Sequence, residues 1–330
     1  MWGIIGHEWG LRVLASSIAK GSPSHAYLLA GPAHIGKTTL ALGFAKALNC
    51  TGSTVPCGQC LACRKIDQGT HPDVRLISGE GKAIGIDRIR EIQRQAVLRP
   101  FEGRYRVHIL SSFHNATPEA ANCLLKTLEE PARHEVLVLT APEADLLLPT
   151  VVSRCQVLSL HLLPTPAIRE ALETRLGLDS ARATLLARLS GGRIGWALTA
   201  ATDSEILTKR EQQLDQLRSL LSLRGVHRWS HVRQLSAPST DLKGLLGLWS
   251  TWWRDLLMLK AGCPDRVINL DRQEDLAGVM AQYDRREIVS ALKSTCRAQE
   301  QLEHNVNARL ALEVLLLDYP GGLAGGRRTD

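Results

Sequence analysis

The chain has 330 residues, 44% of them apolar but only 4% aromatic, and a formal charge of +7. That length allows two or three domains with cores built on Leu, Ala, Val and Ile. It contains no apolar run of about 18 residues, so no membrane-spanning helix is expected. The basic balance fits polyanionic partners, nucleic acid or nucleotide, as well as it fits an ordinary basic surface.

The opening Met1-Trp2-Gly3-Ile4-Ile5-Gly6-His7-Glu8 has no basic stretch and no cleavage site. No signal peptide is therefore expected, and the expected location is cytoplasmic. An amphipathic helix is predicted from about Gly10 to Lys20, closed by the turn Gly21-Ser22-Pro23-Ser24. Ala26 to Ala30 reads as a buried strand and Thr39 to Leu48 as a helix. Between them, Gly31-Pro32-Ala33-His34-Ile35-Gly36-Lys37-Thr38 matches G-x-x-x-x-G-K-[ST] at every required position. Backbone N–H groups and the helix dipole at such a helix start favour an anion. Lys37 is expected to reach the β- and γ-phosphates of ATP or ADP, and Thr38 to ligate Mg²⁺. Gly31, Gly36 and Thr39 complete the candidate nucleotide site. The competing reading is a glycine turn that only joins strand to helix.

Cys50, Cys57, Cys60 and Cys63 follow in a C-x6-C-x2-C-x2-C pattern. Clustered cysteines in a cytoplasmic chain read as metal ligands before disulfides. Four thiolates suit a closed, tetrahedral, structural Zn²⁺, and Pro56 and Gly58 allow the tight turns such a knuckle needs. An iron–sulfur cluster and four reduced buried thiols stand as alternatives. Cys123, Cys155, Cys263 and Cys296 are scattered and read as small core residues.

Further strands are predicted at 73–78, 106–110, 135–140 and 157–160. Helices are predicted at 86–98 and 118–130, the second with Thr117 as N-cap and Pro118 at its first position. Strands alternating with helices around a P-loop imply a mostly parallel, three-layer α/β domain. After Pro164-Thr165-Pro166 the pattern is helical, with short segments over 167–200 and long ones at 203–223, 240–261, 284–304 and 306–318. The glycine-rich tail from Pro320 is expected to be disordered.

A P-loop ATPase also needs an acid at the end of a neighbouring strand to hold Mg²⁺ and polarise water. Where that acid is expected, this chain has Ser111-Ser112, and no carboxylate follows before Glu119. Asp73 begins its strand and so falls at the wrong end of the sheet.

Several blocks together carry a family resemblance. Ala120-Ala121-Asn122-Cys123-Leu124-Leu125-Lys126-Thr127-Leu128-Glu129-Glu130-Pro131 resembles the NALLKTLEEP block of bacterial clamp-loader subunits of DNA polymerase III. Val152-Ser153-Arg154-Cys155-Gln156 resembles their SRC motif. His25-Ala26-Tyr27-Leu28 and Ile86-Asp87-Arg88-Ile89-Arg90-Glu91 also fit. The resemblance is strong over residues 2–160, fair over 161–200 and weak beyond.

It implies an AAA+ P-loop module over residues 1–163 with a zinc-knuckle insertion at 50–63. A helical lid at 164–202, a helical collar at 203–319 and a disordered tail at 320–330 would follow. It further implies an assembly with gamma/tau motor subunits and a delta subunit. Such an assembly uses ATP to load a ring-shaped sliding clamp onto primed DNA, with no membrane involved. Two departures separate this chain from the motors: Ser111-Ser112 replaces their acid pair, and Gly195 replaces the sensing arginine of the lid, with Arg193 nearby. Both point to the family's stator, an accessory subunit of the polymerase with little or no ATPase of its own. The family role of the SRC arginine then falls to Arg154, an arginine finger given in trans to a neighbour, with Ser153 and Cys155 shaping its loop. Thr140 takes the family's sensor position at the end of its strand.

Two other readings compete with the stator: a gamma/tau-like motor ATPase, and a DNA-binding scaffold built on the zinc knuckle. Arg88, Arg90, Arg94, Arg99, Arg104 and Arg106 are candidates for DNA phosphates, with a solvated helix face as the favoured reading. Trp249, Trp252 and Trp253 read as core or interface packing before base stacking.

Overall fold

The computed structural model describes residues 2–79, 83–96, 98–223, 225–237, 241–303 and 306–320. Apart from Pro320, the tail expected to be disordered lies outside the described residues. The chain divides into two compact units, Met1–Leu176 with Gly192–Trp196, and Gly177–Gly191 with Ala197–Asp330.

The first unit begins with α1 (Glu8–Ala19), β1 (Ala26–Ala30), α2 (Lys37–Asn49), α3 (Leu61–Asp67), β2 (Val74–Ser78) and α4 (Ile86–Ala96). It continues with β3 (Arg106–Ser111), α5 (Pro118–Glu129), β4 (Glu135–Ala141), α6 (Pro149–Val152), β5 (Gln156–Ser159) and α7 (Thr165–Leu176). The strands form one sheet in the order β2-β3-β4-β1-β5, every pair parallel. Helices cover both faces, so the central strands read as unbroken apolar runs rather than alternating ones.

Successive side chains still part to opposite faces. Tyr27, Leu29, Val107, Ile109, Val136 and Val138 pack with Leu11 and Leu14 of α1 and Leu40, Phe44 and Leu48 of α2. Ala26, Leu28, Leu110, Leu137 and Leu139 pack with Ile89 and Ile92 of α4 and Leu124 and Leu128 of α5. The expected three-layer α/β module is present, and α5 starts as predicted, with Thr117 Oγ1 accepting from the Ala120 N–H at 3.2 Å.

The second unit is helical throughout its described residues. It holds α8 (Ser180–Leu189), most of α9 (Ile194–Thr202), α10 (Ser204–Ser222), α11 (Trp229–Leu235), α12 (Leu242–Lys260), α13 (Gln273–Met280), α14 (Arg285–Glu303) and α15 (Ala308–Asp318). Trp249, Trp252 and Trp253 are fully buried among Leu245, Leu256, Ile288, Ala291, Leu312 and Tyr319. Their i, i+3, i+4 spacing puts all three on one face of α12. Trp253 meets Tyr319 edge-on, ring centroids 5.3 Å apart. These rings are core, as the packing reading expected. Asp255, also buried, accepts from the backbone N–H groups of Ile268 and Asn269 and pins the loop after α12.

Three arginines of the basic stretch have acidic partners. Arg88 lies 3.7 Å from Glu91, Arg90 lies 3.6 Å from Asp87, and Arg106 is buried against Asp73. The solvated-face reading fits these pairings.

Asp73 precedes β2, at the opposite end of the sheet from the P-loop. Its buried carboxylate accepts from the N–H groups of Phe101, Glu102 and Gly103 at 2.7, 2.9 and 2.8 Å. The Arg106 guanidinium approaches it at 3.3 Å and also donates to the carbonyls of Gln95, Leu98 and Arg99. Asp73 therefore closes the α4–β3 connection and takes no part in phosphate chemistry. Burial by itself raises its pKa, but the three N–H donors and Arg106 outweigh burial and leave it below the ordinary value. A depressed carboxylate stabilises the fold above its unfolded pKa and loses that contribution as pH falls through the folded one. Asp73→Ala should cost about 1–3 kcal/mol at pH 7, since it strands buried donors. Thermal melts from pH 7 downward should show the gap to wild type closing below about pH 4.

Candidate functional site

The P-loop leaves the C-terminal end of β1 and feeds directly into α2, as the sequence predicted. Two positions in it demand glycine. A Cβ on Gly31 would meet the Leu160 carbonyl oxygen at 2.6 Å, and Gly36, the N-cap of α2, has φ 101°. The first turn of α2 carries neither a capping side chain nor an acidic residue of its own to offset its positive end. Lys37 Nζ donates to the carbonyls of Gly31 and Pro32 at 2.6 and 2.7 Å, which places the ammonium inside the curve of the loop. Thr38 is half-buried and Thr39 exposed on the same turn. This geometry suits an anion held by helix start and lysine together.

Two contacts that sequence reasoning missed fix the loop from outside. His7 Nε2 lies 2.9 Å from the Ile35 carbonyl oxygen, and the Gly195 N–H donates to the His34 carbonyl at 2.8 Å. The approach at Gly195 is so close that a Cβ there would meet the His34 oxygen at 2.7 Å. With this backbone no side chain fits at 195, so glycine there is a steric requirement. The glycine is plain in the sequence, but the reason for it needs the fold.

Among the described residues, the end of β3 carries serines where an acid is expected. Ser111 is buried, and Ser112 adopts a left-handed conformation with its N–H donating to Thr140 Oγ1 at 2.9 Å. Thr140 is itself buried at the end of β4. Its hydroxyl stitches two strand ends together, a structural task. Glu119, the next carboxylate, caps its own helix start with Thr117.

The four clustered cysteines converge. Their sulfurs all lie within 4.8 Å of one another, with Cys50 and Cys63 buried and Cys57 and Cys60 half-buried. Backbone N–H groups point at the sulfurs: Cys57 N–H to Cys50 Sγ at 3.3 Å, Cys60 N–H to Cys57 Sγ at 3.2 Å, and Cys63 N–H to Cys60 Sγ at 3.5 Å. Gly52 leaves room for the turn, since a Cβ there would stand 2.8 Å from Cys57 Cβ. The N–H groups of Thr51 and Cys63 pull Cys60 down to about 5, while burial pushes Cys63 up to about 12. The group can hold a metal ion, and a cation would offset the repulsion among thiolates. Cys63 sits on α3, a short helix that the cysteine spacing does not announce.

Arg154 follows α6 on an exposed turn. Its Nη1 donates to the Thr150 carbonyl at 2.9 Å, and its Nη2 pairs with Glu129 Oε1 at 2.8 Å. Ser153 Oγ bonds the Thr150 carbonyl, and burial pushes the Cys155 thiol up to about 12, which leaves it inert. Glu129 ends α5, inside the same block that carried the family resemblance. No local spacing signals its partnership with Arg154.

Two family models cover most of the chain. One described as "DNA polymerase III, delta subunit" matches residues 6–164, and one described as "DNA polymerase III, delta subunit, C terminal" matches residues 202–320. The delta′ subunit of DNA polymerase III from Bacillus subtilis is 29% identical over 312 residues, covering 93% of this chain and 94% of that protein. The tau subunit from the same organism is 36% identical over 167 residues, which is 50% of this chain but 30% of tau. Among solved structures, a gamma-subunit-related protein from Thermotoga maritima matches at 20% identity, covering 92% of this chain and 97% of that one, with a TM-score of 0.43, too distant to support more. Taken with the P-loop module and the helical unit beyond it, these matches establish that the chain belongs to the DNA polymerase III delta family, homologous to the delta′ and gamma/tau clamp-loader subunits.

Proposed function

We propose that this chain is the stator of a DNA polymerase III clamp loader. It would support the ATP-driven loading of a sliding clamp onto primed DNA beside gamma/tau motor subunits and a delta subunit. The observation that carries this reading is the end of β3, where Ser112 is bonded to Thr140 and the chain runs on with no carboxylate before Glu119. A phosphate cradle without that acid holds nucleotide but does not turn it over. The chain would meet catalysis at Arg154, whose guanidinium stabilises charge developing on the γ-phosphate in a neighbour's site. Residues 1–163 would form the AAA+ module, 164–202 its lid and 203–319 the collar that meets other subunits. Zn²⁺ in the four-cysteine knuckle would brace residues 50–63 as a structural ion.

The motor reading gains nothing from the β3 end, and Gly195 leaves no space for the lid arginine. The scaffold reading draws support only from the cysteines.

Three outcomes are expected. In a complex reconstituted with gamma/tau-type motors, Arg154→Ala should lower turnover at the site it faces by roughly 10³-fold or more and spare assembly. An unchanged ATPase rate would remove the finger. The isolated chain should bind a fluorescent ATP or ADP analogue, lose that binding in Lys37→Ala, and show no Mg²⁺-dependent hydrolysis. Hydrolysis abolished by Lys37→Ala would restore the motor reading. Elemental analysis should find about one zinc per chain. Cys63→Ser should lose the zinc and lower the Tm, whereas DNA binding abolished by a chelator, with Arg154→Ala silent, would favour the scaffold.

A further inference from the structure

Among the described residues, several exposed arginine pairs join residues one turn apart on a single helix, as in Arg88–Glu91, Arg90–Asp87 and Arg309–Glu313. Arg154–Glu129, like Arg75–Glu91 and Arg218–Asp275, joins two elements. It links the end of α5 to the turn after α6, at 2.8 Å. Both elements are anchored in the same core: Leu124 and Leu128 of α5 pack in one cluster with Leu147 and with Val151 of α6. The two side chains thus rise from a rigid floor, each one to three residues from a fully packed neighbour.

We propose that Glu129 is the positioning residue for Arg154, fixing its guanidinium for use by the neighbouring nucleotide; this rests on the reading of Arg154 as a finger in trans. The side chains are 52% and 37% exposed, and a pair so wet contributes little to stability. What the pair does change is freedom. An exposed arginine samples many rotamers, and ordering it only when the nucleotide arrives subtracts from transition-state stabilisation. Here the Thr150 carbonyl takes Nη1 and Glu129 takes Nη2, both acceptors contributed by this chain. A guanidinium has five N–H donors, so one held by these two acceptors keeps Nε–H and further N–H groups for phosphate oxygens. Glu129 remains bonded while Arg154 works, and it does not mask it. A masking carboxylate would act with the opposite sign.

The test uses the full complex with motor and delta subunits, the clamp, primed DNA and ATP. Glu129→Ala should lower kcat at the affected site by about tenfold, with KM for ATP and assembly by size exclusion unchanged. Glu129→Gln, which keeps an oxygen acceptor, should recover part of the loss. In an Arg154→Ala background, Glu129→Ala should have no further effect. A kcat that is unchanged or raised in Glu129→Ala, while Arg154→Ala lowers it, overturns the positioning role and leaves the finger standing. A loss that persists in the Arg154→Ala background also overturns it, since Glu129 would then act elsewhere. If Arg154→Ala itself leaves the rate unchanged, the finger reading fails and this inference falls with it.

Discussion

Leu29 pairs with Thr140 across β1 and β4, and Leu110 with Leu139 across β3 and β4. This parallel register sets the ends of three strands along one edge of the sheet. Parallel strands require crossover helices, so the same register buries both faces and directs every strand end to that edge. The P-loop leaves β1 there, and Ser112, just past β3, and Thr140, near the end of β4, lie there too. What the molecule can do with a phosphate follows from which side chains this edge carries.

Among the described residues the edge carries a phosphate cradle, and β3 runs out into serine rather than a carboxylate. Binding a phosphate needs backbone N–H groups, a helix start and a cation, and these come from a loop that survives the loss of its neighbours. Hydrolysis needs a carboxylate on a different strand, and here that strand ends in two serines. One of them is committed through its N–H to Thr140. The Gly195 backbone sits against His34 and holds the loop from the other side. Nucleotide in such a site would serve as a structural element, much as a metal in the cysteine knuckle would. Under the proposed function, the part of the chain that meets catalysis is the Arg154 turn, and the nucleotide it serves belongs to another subunit.

The sheet was readable in the sequence because full burial writes each central strand as an unbroken apolar run. The P-loop was readable because Gly31 and Gly36 answer local steric demands. The four cysteines were readable by spacing, and the structure brings their sulfurs together. What escaped was short or non-local. α3 has seven residues and is capped by Cys60, so ligand spacing masked its helical register. α13, of eight residues, carries a glycine and lies between two longer helices. The role of Asp73 in closing the α4–β3 connection depends on N–H groups some thirty residues away, and Glu129 meets Arg154 only through the packing of α5 on α6. Gly195 shows the boundary most clearly. Its identity was plain, but the backbone contact that makes it necessary joins residues far apart in sequence.

The most direct measurement of the central claim is a structure of the assembled complex trapped with a γ-phosphate mimic in the motor subunits. The account predicts the Arg154 guanidinium at hydrogen-bonding distance, about 3 Å, from the mimic in a neighbouring subunit, with Glu129 still bonded behind it. An Arg154 turned to solvent, with the neighbour's phosphate completed by another subunit's side chain, would contradict it.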